Sequence, residues 1–297
     1  MRKEITVNGI LNVYKPKEWT SHDIVAKIKK ITGQKVGHTG TLDPLAQGVL
    51  PVLIGKGTLC SKYLVNHDKK YRVELKLGKR TATLDSEGEI LEEEEIPQGL
   101  LEQANQEEIK KALKKFKGEI EQTPPIYSAI KVKGKKLYEY ARKGQEVEIP
   151  IRKITIYSIE LVEILKDENV IIFDVSCSKG TYIRTLCEDI ATSLKTIGYM
   201  QNLVRLQVGE FNVKDSITLT MENEKDLEII EKNIISVEKI FGEYPKLDIE
   251  PSRIKYFLNG VKITQNVKDG IYRIYTENKF IGIGIVRSKL LKRDIIL

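Results

Sequence analysis

Two side chains able to do chemistry, His38 and Asp43, lie in a glycine-containing stretch that spans residues 36–55. Because a proline follows Asp43, the α region is disfavoured at the aspartate, and its carboxylate is expected to project from a loop. Three glycines would allow positive φ or a close approach of backbone and ligand, namely Gly37, Gly40 and Gly48. The apolar run over 49–54 predicts a buried strand that braces the loop. The pattern is compatible with a catalytic carboxylate, and also with a plain connector in which Asp-Pro only begins a turn.

A cation that could hold this carboxylate follows Cys177 in the segment 177–186. Thr181 is predicted to cap a helix that runs to about residue 194, which places Tyr182 and Arg184 in its first turn. A cation at a helix start opposes the helix dipole, so it indicates a specific anionic partner, although an ordinary surface arginine fits as well. A carboxylate nucleophile or base that an arginine keeps ionised is therefore the best-supported chemistry.

Other kinds of catalytic site find little support in the sequence. The chain has three histidines, and it contains no His-Glu-x-x-His, Cys-x-x-Cys, Walker A or Gly-x-Gly-x-x-Gly motif, so neither a metal nor a nucleotide cofactor is predicted. A cysteine nucleophile is disfavoured because no histidine lies near Cys177 or Cys187 in the sequence. The odd number and wide spacing of the cysteines, which also include Cys60, predict reduced thiols in the cytoplasm.

The composition bounds the possible partners. The chain has 297 residues, enough for two domains, with a net charge of +7 and a pI of about 9.0, which favours a polyanion such as nucleic acid. The sequence has no apolar run of the roughly 20 residues that span a membrane, and residues 1–9 lack the apolar region of a signal peptide. These observations predict a cytoplasmic enzyme or RNA-handling protein.

The hydrophobic pattern predicts elements that would position these residues. Ser21 and Asn105 are predicted to cap helices, Gly33 to end the first of these helices, and the glutamates at 92–95 to form a solvated loop. Residues 246–297 combine short strands and glycines, which is typical of a small β-barrel-like module. Strands are predicted at about 10–14, 49–54, 71–78, 151–165, 170–177 and 203–211, and helices at 22–32, 58–65, 105–117, 181–194, 225–233 and 252–258.

The segment 120–153 combines basic and aromatic side chains. Cations attract phosphates and tyrosine rings can stack on splayed bases, so the segment predicts RNA contact; a solvated hairpin and helix is the alternative. The cations are Lys131, Lys133, Lys135, Lys136, Arg142 and Lys143, and the tyrosines are Tyr127, Tyr138 and Tyr140.

Taken together, these segments resemble the TruB family of tRNA pseudouridine synthases. Residues 37–50, GHTGTLDPLAQGVL, are similar to the family's catalytic motif. Four further segments resemble family segments in the same order, at 69–73, 127–144, 177–185 and 203–206, and the likeness extends over about residues 9–215. The tail resembles, less sharply, the PUA domain that follows the catalytic domain in this family.

The resemblance implies an α+β pseudouridine synthase fold with a mixed, mainly antiparallel sheet flanked by helices, plus a small C-terminal β-barrel-like PUA domain. The catalytic domain is expected at 1–244, with an RNA-gripping insertion at about 120–153 that closes over the T arm. The PUA-like domain is expected at 245–297, where it would add contacts to the acceptor end of tRNA. A monomer that needs no cofactor and no metal is expected.

The implied reaction isomerises uridine 55 in the T arm of tRNA to pseudouridine, after the base has been flipped out of the folded loop. The bond from C1′ to N1 breaks, the uracil rotates, and C5 joins C1′. Asp43 would be the catalytic aspartate, either adding to C1′ or removing a C2′ proton, and Arg184 would pair with it. Tyr71 would stack on the uracil and take the C5 proton in the final step.

The remaining site residues implied by the resemblance would bind substrate. His38 would fill the gap left by the flipped base or contact the target nucleotide, while Tyr182 and Leu203 would line the uracil pocket. Two alternatives stay open, namely an RNA-binding chaperone and a pseudouridine synthase acting on another RNA. The residues expected to bind RNA are Lys69, Lys131, Lys133, Lys135, Lys136 and Arg142.

Overall fold

The computed structural model describes residues 7–220 and 222–297 of the chain. The prediction about the amino-terminal nine residues therefore falls largely on residues 1–6, which lie outside the described ranges. Within these ranges no helix is both long enough and apolar enough to cross a membrane.

A nine-stranded sheet, mixed but mainly antiparallel, forms the centre of the described structure. The strands of this part of the chain are β1 (Gly9–Lys15), β2 (Val36–His38), β3 (Gln47–Ile54), β4 (Lys69–Leu77), β5 (Lys79–Thr81), β6 (Ile90–Glu93), β7 (Gly118–Gln122), β8 (Lys131–Val132), β9 (Lys135–Lys136), β10 (Arg152–Leu165), β11 (Val170–Cys177), β12 (Gly198–Val208) and β13 (Phe211–Asn212). The sheet order is β1-β3-β12-β4-β11-β10-β7, with β2 beside β3 and β13 beside β12. Its β3–β12 pair is parallel. Two hairpins, β5–β6 and β8–β9, stand outside this sheet.

Helices cover the sheet through two hydrophobic clusters. One cluster joins Leu186 and Ile190 to Phe173 of the sheet, and another joins Ile24 and Ile28 to strands β1 and β3. This arrangement confirms the predicted α+β architecture. The helices are α1 (Ser21–Thr32), α2 (Ser61–Leu64), α3 (Gln106–Lys114), α4 (Leu137–Ala141), α5 (Ile183–Ser193), α6 (Asn223–Asn233), α7 (Val237–Ile240) and α8 (Pro251–Leu258).

The tail forms a second, curled sheet of five strands in the order β14-β16-β17-β18-β15, which confirms the predicted β-rich module. Ile283 and Ile295 of this sheet share a hydrophobic cluster with Val49 of the central sheet, and Tyr63 donates a 2.6 Å hydrogen bond to Asp294. The boundary between 1–244 and 245–297 stays a prediction. The strands are β14 (Lys246–Asp248), β15 (Ile263–Thr264), β16 (Gly270–Thr276), β17 (Lys279–Arg287) and β18 (Leu290–Ile296).

The predicted helix cap was wrong at Ser21, and at Asn105 it was right in position but not in its side-chain bond. Thr20 caps α1, because its hydroxyl accepts from the Asp23 amide while the Asp23 carboxylate accepts from the Thr20 amide, a reciprocal capping box. Asn105 occupies the N-cap position of α3, as predicted, but its side chain donates to the carbonyl of Gly99 at 2.8 Å instead of accepting from the helix, and α3 ends at Lys114 rather than 117. Gly33 ends α1 in the left-handed conformation, as predicted.

Three further predictions about local structure are corrected. Tyr182 rather than Thr181 occupies the N-cap position of α5, because the Thr181 hydroxyl donates to the carbonyl of Ser178 at 3.0 Å. Part of the expected glutamate loop is strand β6, whose Glu92 pairs with Arg80 across the hairpin at 2.6 Å. The region 58–65 divides into a 3-10 helix, Gly55–Cys60, and the short α2.

Candidate active site

An open cavity of about 990 Å³ lies where the Asp43 loop meets strands β4 and β12 and the start of α5. Its wall brings together five of the six residues predicted to act in catalysis or substrate binding and one of the six predicted to bind RNA. They are Asp43, Tyr71, Tyr182, Arg184 and Leu203, together with Lys69. Residues far apart in the sequence thus converge on one surface large enough for a nucleotide.

Hydrogen bonds to the backbone on either side of Asp43 fix the loop that carries it. The Ser21 hydroxyl accepts from the Leu42 amide at 2.8 Å and donates to the Leu42 carbonyl at 3.1 Å, so the residue expected to cap α1 instead anchors this loop. The side chains of Leu42 and Leu45 are buried in the core. Asp43 between them keeps 41% of its side chain exposed. The loop therefore presents one accessible carboxylate on an immobilised backbone.

A buried lysine lies beneath the same loop. Lys15 Nζ donates to the carbonyls of Trp19 and Pro44, at 2.5 and 3.2 Å. Burial lowers the pKa of Lys15 to about 8, and the nearby Asp43 carboxylate acts in the opposite direction. At neutral pH the ammonium is therefore mostly charged, and it adds positive potential below the Asp43 loop.

Of the three glycines in the motif, only Gly48 requires its special backbone freedom. Its φ is 108°, and a Cβ atom there would lie 2.3 Å from the carbonyl oxygen of Arg205. Gly37 and Gly40 have ordinary φ values, and a Cβ on Gly37 would meet nothing within 4 Å. The expectation that all three glycines shape the loop is therefore met at one position.

Arg184 lies between two carboxylates. Its Nε is 3.4 Å from Asp43 Oδ2, and its Nη1 is 3.2 Å from Asp85 Oδ2. The guanidinium also donates to the carbonyls of Thr83 and Tyr127, each at 3.1 Å. With only 10% of its side chain exposed, Arg184 is held from three directions while it faces Asp43. The predicted anionic partner for this cation is present.

The start of α5 is itself fastened to the edge strand β7. The Gln122 side chain accepts from the Tyr182 amide at 2.8 Å and donates to the Tyr182 carbonyl at 3.0 Å. The Thr185 hydroxyl donates to the Thr123 carbonyl at 3.3 Å. These bonds fix the backbone on both sides of Arg184, which limits the directions that its side chain can take.

Asp85 is a site residue that the sequence did not reveal. Its carboxylate is 4% exposed, accepts from the Thr83 hydroxyl and the Glu87 amide, and pairs with Arg184. In the sequence it lies in a polar, turn-rich stretch over 81–88, where an aspartate is an ordinary turn former. Only the tertiary structure distinguishes it from such a residue.

We expect Asp85→Asn to lower the free energy of unfolding by about 3 kcal/mol, because it leaves a mostly buried guanidinium with one charged partner fewer. Chemical denaturation measures this change. Asp174→Asn is the matched control, since Asp174 pairs with a half-exposed Arg72 and should cost below about 1 kcal/mol. Equal losses in the two variants would show that Arg184 does not depend on Asp85.

Tyr71 and Leu203 form the part of the wall expected to hold a base. Tyr71 lies on β4 and Leu203 on β12, neighbouring antiparallel strands, and both side chains are over 90% buried. Burial raises the pKa of Tyr71, and the guanidinium of Arg205 acts in the opposite direction. Arg205 also lines the cavity and was not identified from the sequence.

His38 lies beside the cavity, whose described wall includes Thr39 and Gly40 but not His38 itself. Its Nδ1 accepts from the Gly40 amide at 3.2 Å, so the proton of a neutral imidazole resides on Nε2. Burial lowers the pKa of His38, which favours that neutral form.

The basic segment only partly joins this site. Its first residues belong to β7 and its last to β10, so the part that leaves the central sheet extends over 123–151 and contains the β8–β9 hairpin and α4. Tyr127 and Tyr138 line the cavity, whereas the five cations expected to bind RNA, Lys131, Lys133, Lys135, Lys136 and Arg142, do not. Lys136 and Arg142 instead flank the Tyr138 ring, each about 5.3 Å from its centroid. Besides Arg205, the cations in the wall that the sequence did not single out are Arg152, Lys153 and Lys179.

Three family models match successive parts of the chain. The model described as TruB family pseudouridylate synthase (N terminal domain) matches residues 28–183. The model described as tRNA pseudouridylate synthase B C-terminal domain matches 184–240, and the one described as Pseudouridine synthase II TruB, C-terminal, matches 245–292.

Individual proteins agree with these matches. A tRNA pseudouridine synthase B of Caldanaerobacter subterraneus subsp. tengcongensis is 45% identical over 292 residues, covering 97% of this chain and 98% of the relative. A protein of the same name from Clostridium kluyveri is 46% identical, and the match covers 94% of this chain and 96% of the relative. Among solved structures, an H/ACA RNP bound to a substrate RNA containing 2′-deoxyuridine contains a chain with 25% identity and a TM-score of 0.67, with coverages of 97% and 85%.

Proposed function

Because the chain belongs to the TruB family of pseudouridine synthases, we propose that it isomerises uridine 55 in the T arm of tRNA to pseudouridine. The observation that carries this proposal is the Asp43 carboxylate, accessible in a nucleotide-sized cavity and paired with Arg184 at 3.4 Å. The relatives named tRNA pseudouridine synthase B support tRNA as the substrate class.

The first chemical step uses Asp43. The carboxylate either adds to C1′ or removes a proton from C2′, and in both cases the uracil leaves with the electron pair of the N1–C1′ bond. Arg184 holds the carboxylate in place, so little reorganisation is needed as charge moves to the base. The uracil then rotates within the site until C5 faces C1′.

The second step closes the new glycosidic bond. C5 donates an electron pair to C1′: in the adduct route the C1′–O bond to Asp43 breaks and the carboxylate leaves, and in the other route Asp43 returns its proton to C2′ of the C1′–C2′ double bond. C5 then carries both a hydrogen and the ribose, and a double bond lies between N1 and C6. A base then removes the C5 proton, the C5–H pair forms the C5–C6 double bond, and N1 takes a proton from water. We assign the base to Tyr71, whose ring also stacks on the uracil, with Leu203 and Tyr182 completing the pocket.

His38 would occupy the space vacated by the flipped base. Its neutral imidazole with a proton on Nε2 suits that role, because a flat ring can stack between bases and donate one hydrogen bond without adding a charge. The tail module, expected at 245–297, would contact the acceptor end of the same tRNA.

Phosphate contact by the β8–β9 hairpin gives a testable salt dependence. Lys135 is exposed, and Lys136 next to it contacts Tyr138. We expect the double variant Lys135→Glu/Lys136→Glu to weaken T-arm binding and to flatten the slope of log K against log salt by about 2, because two phosphate contacts are lost. Fluorescence anisotropy over a salt series measures both quantities.

A matched control for this experiment is Lys111→Glu/Lys114→Glu, which makes the same charge change on two exposed residues of α3. An unchanged slope in the hairpin variant, or equal changes in both variants, would show that the hairpin lysines form only a solvated face.

The proposed substrate is tested by hydrogen release from C5. We expect the protein to release tritium from tRNA transcripts labelled at C5 of uridine, and from an isolated T-arm stem-loop, but not from ribosomal RNA transcripts. A transcript with cytidine at position 55 is the control and should release none. If the protein released tritium faster from ribosomal RNA than from tRNA, ribosomal RNA rather than tRNA would be its substrate.

A further inference from the structure

Arg205 lies beneath the catalytic loop and is 1% exposed. Its guanidinium donates to the carbonyls of Gly40 and Thr41, at 3.0 and 3.3 Å, before the catalytic aspartate. It also donates to the carbonyl of Val49 at 2.7 Å, beyond the aspartate. One side chain therefore ties together both ends of the loop that carries Asp43.

The same residue faces Tyr71. Arg205 on β12 and Tyr71 on β4 are directly paired across neighbouring antiparallel strands, and both side chains line the cavity. Directly opposed residues on one sheet face lie close enough for their side chains to interact. Arg205 is thus the physical link between the loop of the first chemical step and the tyrosine assigned to the last.

We propose that Arg205 is a positioning residue that couples the Asp43 loop to Tyr71 and favours the phenolate form of the tyrosine during C5 deprotonation. The inference rests on the proposed function, and it adds a second role for a residue that could otherwise be regarded as a structural arginine.

The proton balance of the last step explains why a cation is useful there. A neutral phenol cannot accept the C5 proton without losing its own, whereas a phenolate accepts it directly. Burial disfavours the phenolate, and a guanidinium beside the oxygen favours it. Arg205 transfers no proton itself; in this step it acts through Tyr71.

The test compares T-arm RNA that carries hydrogen or deuterium at C5 of the target uridine. We expect Arg205→Met to slow turnover roughly 10²-fold, as for an impaired general base. Its isotope effect should exceed that of the wild type, because C5 deprotonation becomes more rate-limiting. The acid limb of the pH–rate profile should move to higher pH by about one unit, because the tyrosine loses a neighbouring positive charge.

Lys15→Met is the matched control. It removes another buried cation that holds the Asp43 loop, through the Pro44 carbonyl, but this lysine lies on β1, which does not neighbour the strand of Tyr71. We expect slower turnover with the wild-type isotope effect and pH limb. Arg205→Lys keeps the charge but cannot reach all the acceptors, so turnover should fall while the pH limb stays near that of the wild type.

The outcomes separate the two proposals. Wild-type protein that releases no C5 hydrogen from T-arm RNA would contradict the proposed function itself. If the wild type is active but Arg205→Met leaves the isotope effect and the pH limb unchanged, only the role of Arg205 is overturned. The same follows if Lys15→Met changes both quantities as much as Arg205→Met does. The same holds if no substitution at position 205 gives a protein that unfolds cooperatively, since Arg205 would then be structural.

Discussion

Asp43→Asn should reduce pseudouridine formation roughly 10⁴-fold or more, the scale of loss when a residue that reacts with substrate is removed. The amide is nearly isosteric, but it neither adds to C1′ nor accepts a C2′ proton efficiently. Binding of the T arm should stay within a few-fold of wild type, because the carboxylate is one group on a large, mostly basic surface. Single-turnover kinetics and anisotropy measure the two quantities.

Asp167→Asn is the control for that variant, since Asp167 is an exposed aspartate in the turn between β10 and β11. It should behave as wild type in both assays. If Asp43→Asn retained activity within tenfold of wild type, the catalytic assignment would fail. RNA remodelling that is independent of residue 43 would favour the chaperone alternative instead.

Arg184→Lys should lower the rate of pseudouridine formation roughly 10²- to 10³-fold, the range seen when one preorganised electrostatic donor is lost. A lysine keeps the positive charge, but its single ammonium cannot engage Asp43 and Asp85 together while also donating to two carbonyls. The aspartate then loses its fixed orientation. The loss should appear in the single-turnover rate, with a smaller change in affinity.

Arg80→Lys makes the same substitution in an exposed ion pair with Glu92 and should leave the rate unchanged. A rate for Arg184→Lys within a few-fold of wild type would mean that charge alone suffices at this position. The geometry of the guanidinium would then have no part in catalysis.

Residues predicted from local motifs were found where expected. Asp43 projects from a loop followed by a buried strand, and Arg184 lies in the first turn of a helix near an anion. Tyr71 and Leu203 were placed on strands by alternation, and only the resemblance suggested that they meet in one pocket. Their convergence follows from the β4–β12 pairing, which the sequence pattern alone does not specify.

The supporting residues could not be predicted, because their roles depend on contacts between distant segments. Asp85 approaches Arg184 across a sequence separation of 99 residues, and Arg205 approaches the Gly40 carbonyl across 165. A buried arginine or aspartate has no local signature that separates it from a surface one. The same limit applies to Lys15, which resembles any lysine before a proline.

Two errors show how small local differences decide structure. Thr20 and Ser21 both carry hydroxyls that can cap a helix, but only Thr20 lies three residues before an aspartate that completes the capping box. The residue at which β10 begins determines which cations near the basic segment face the cavity. This start places Arg152 and Lys153 in the wall, away from the hairpin lysines.

The most direct test of the central claim maps pseudouridine at single-nucleotide resolution in an unmodified tRNA transcript treated with wild type or with Asp43→Asn. We predict one modified position, uridine 55, with the wild type and none with the variant. Modification at another position, or equal modification by both proteins, would contradict the account.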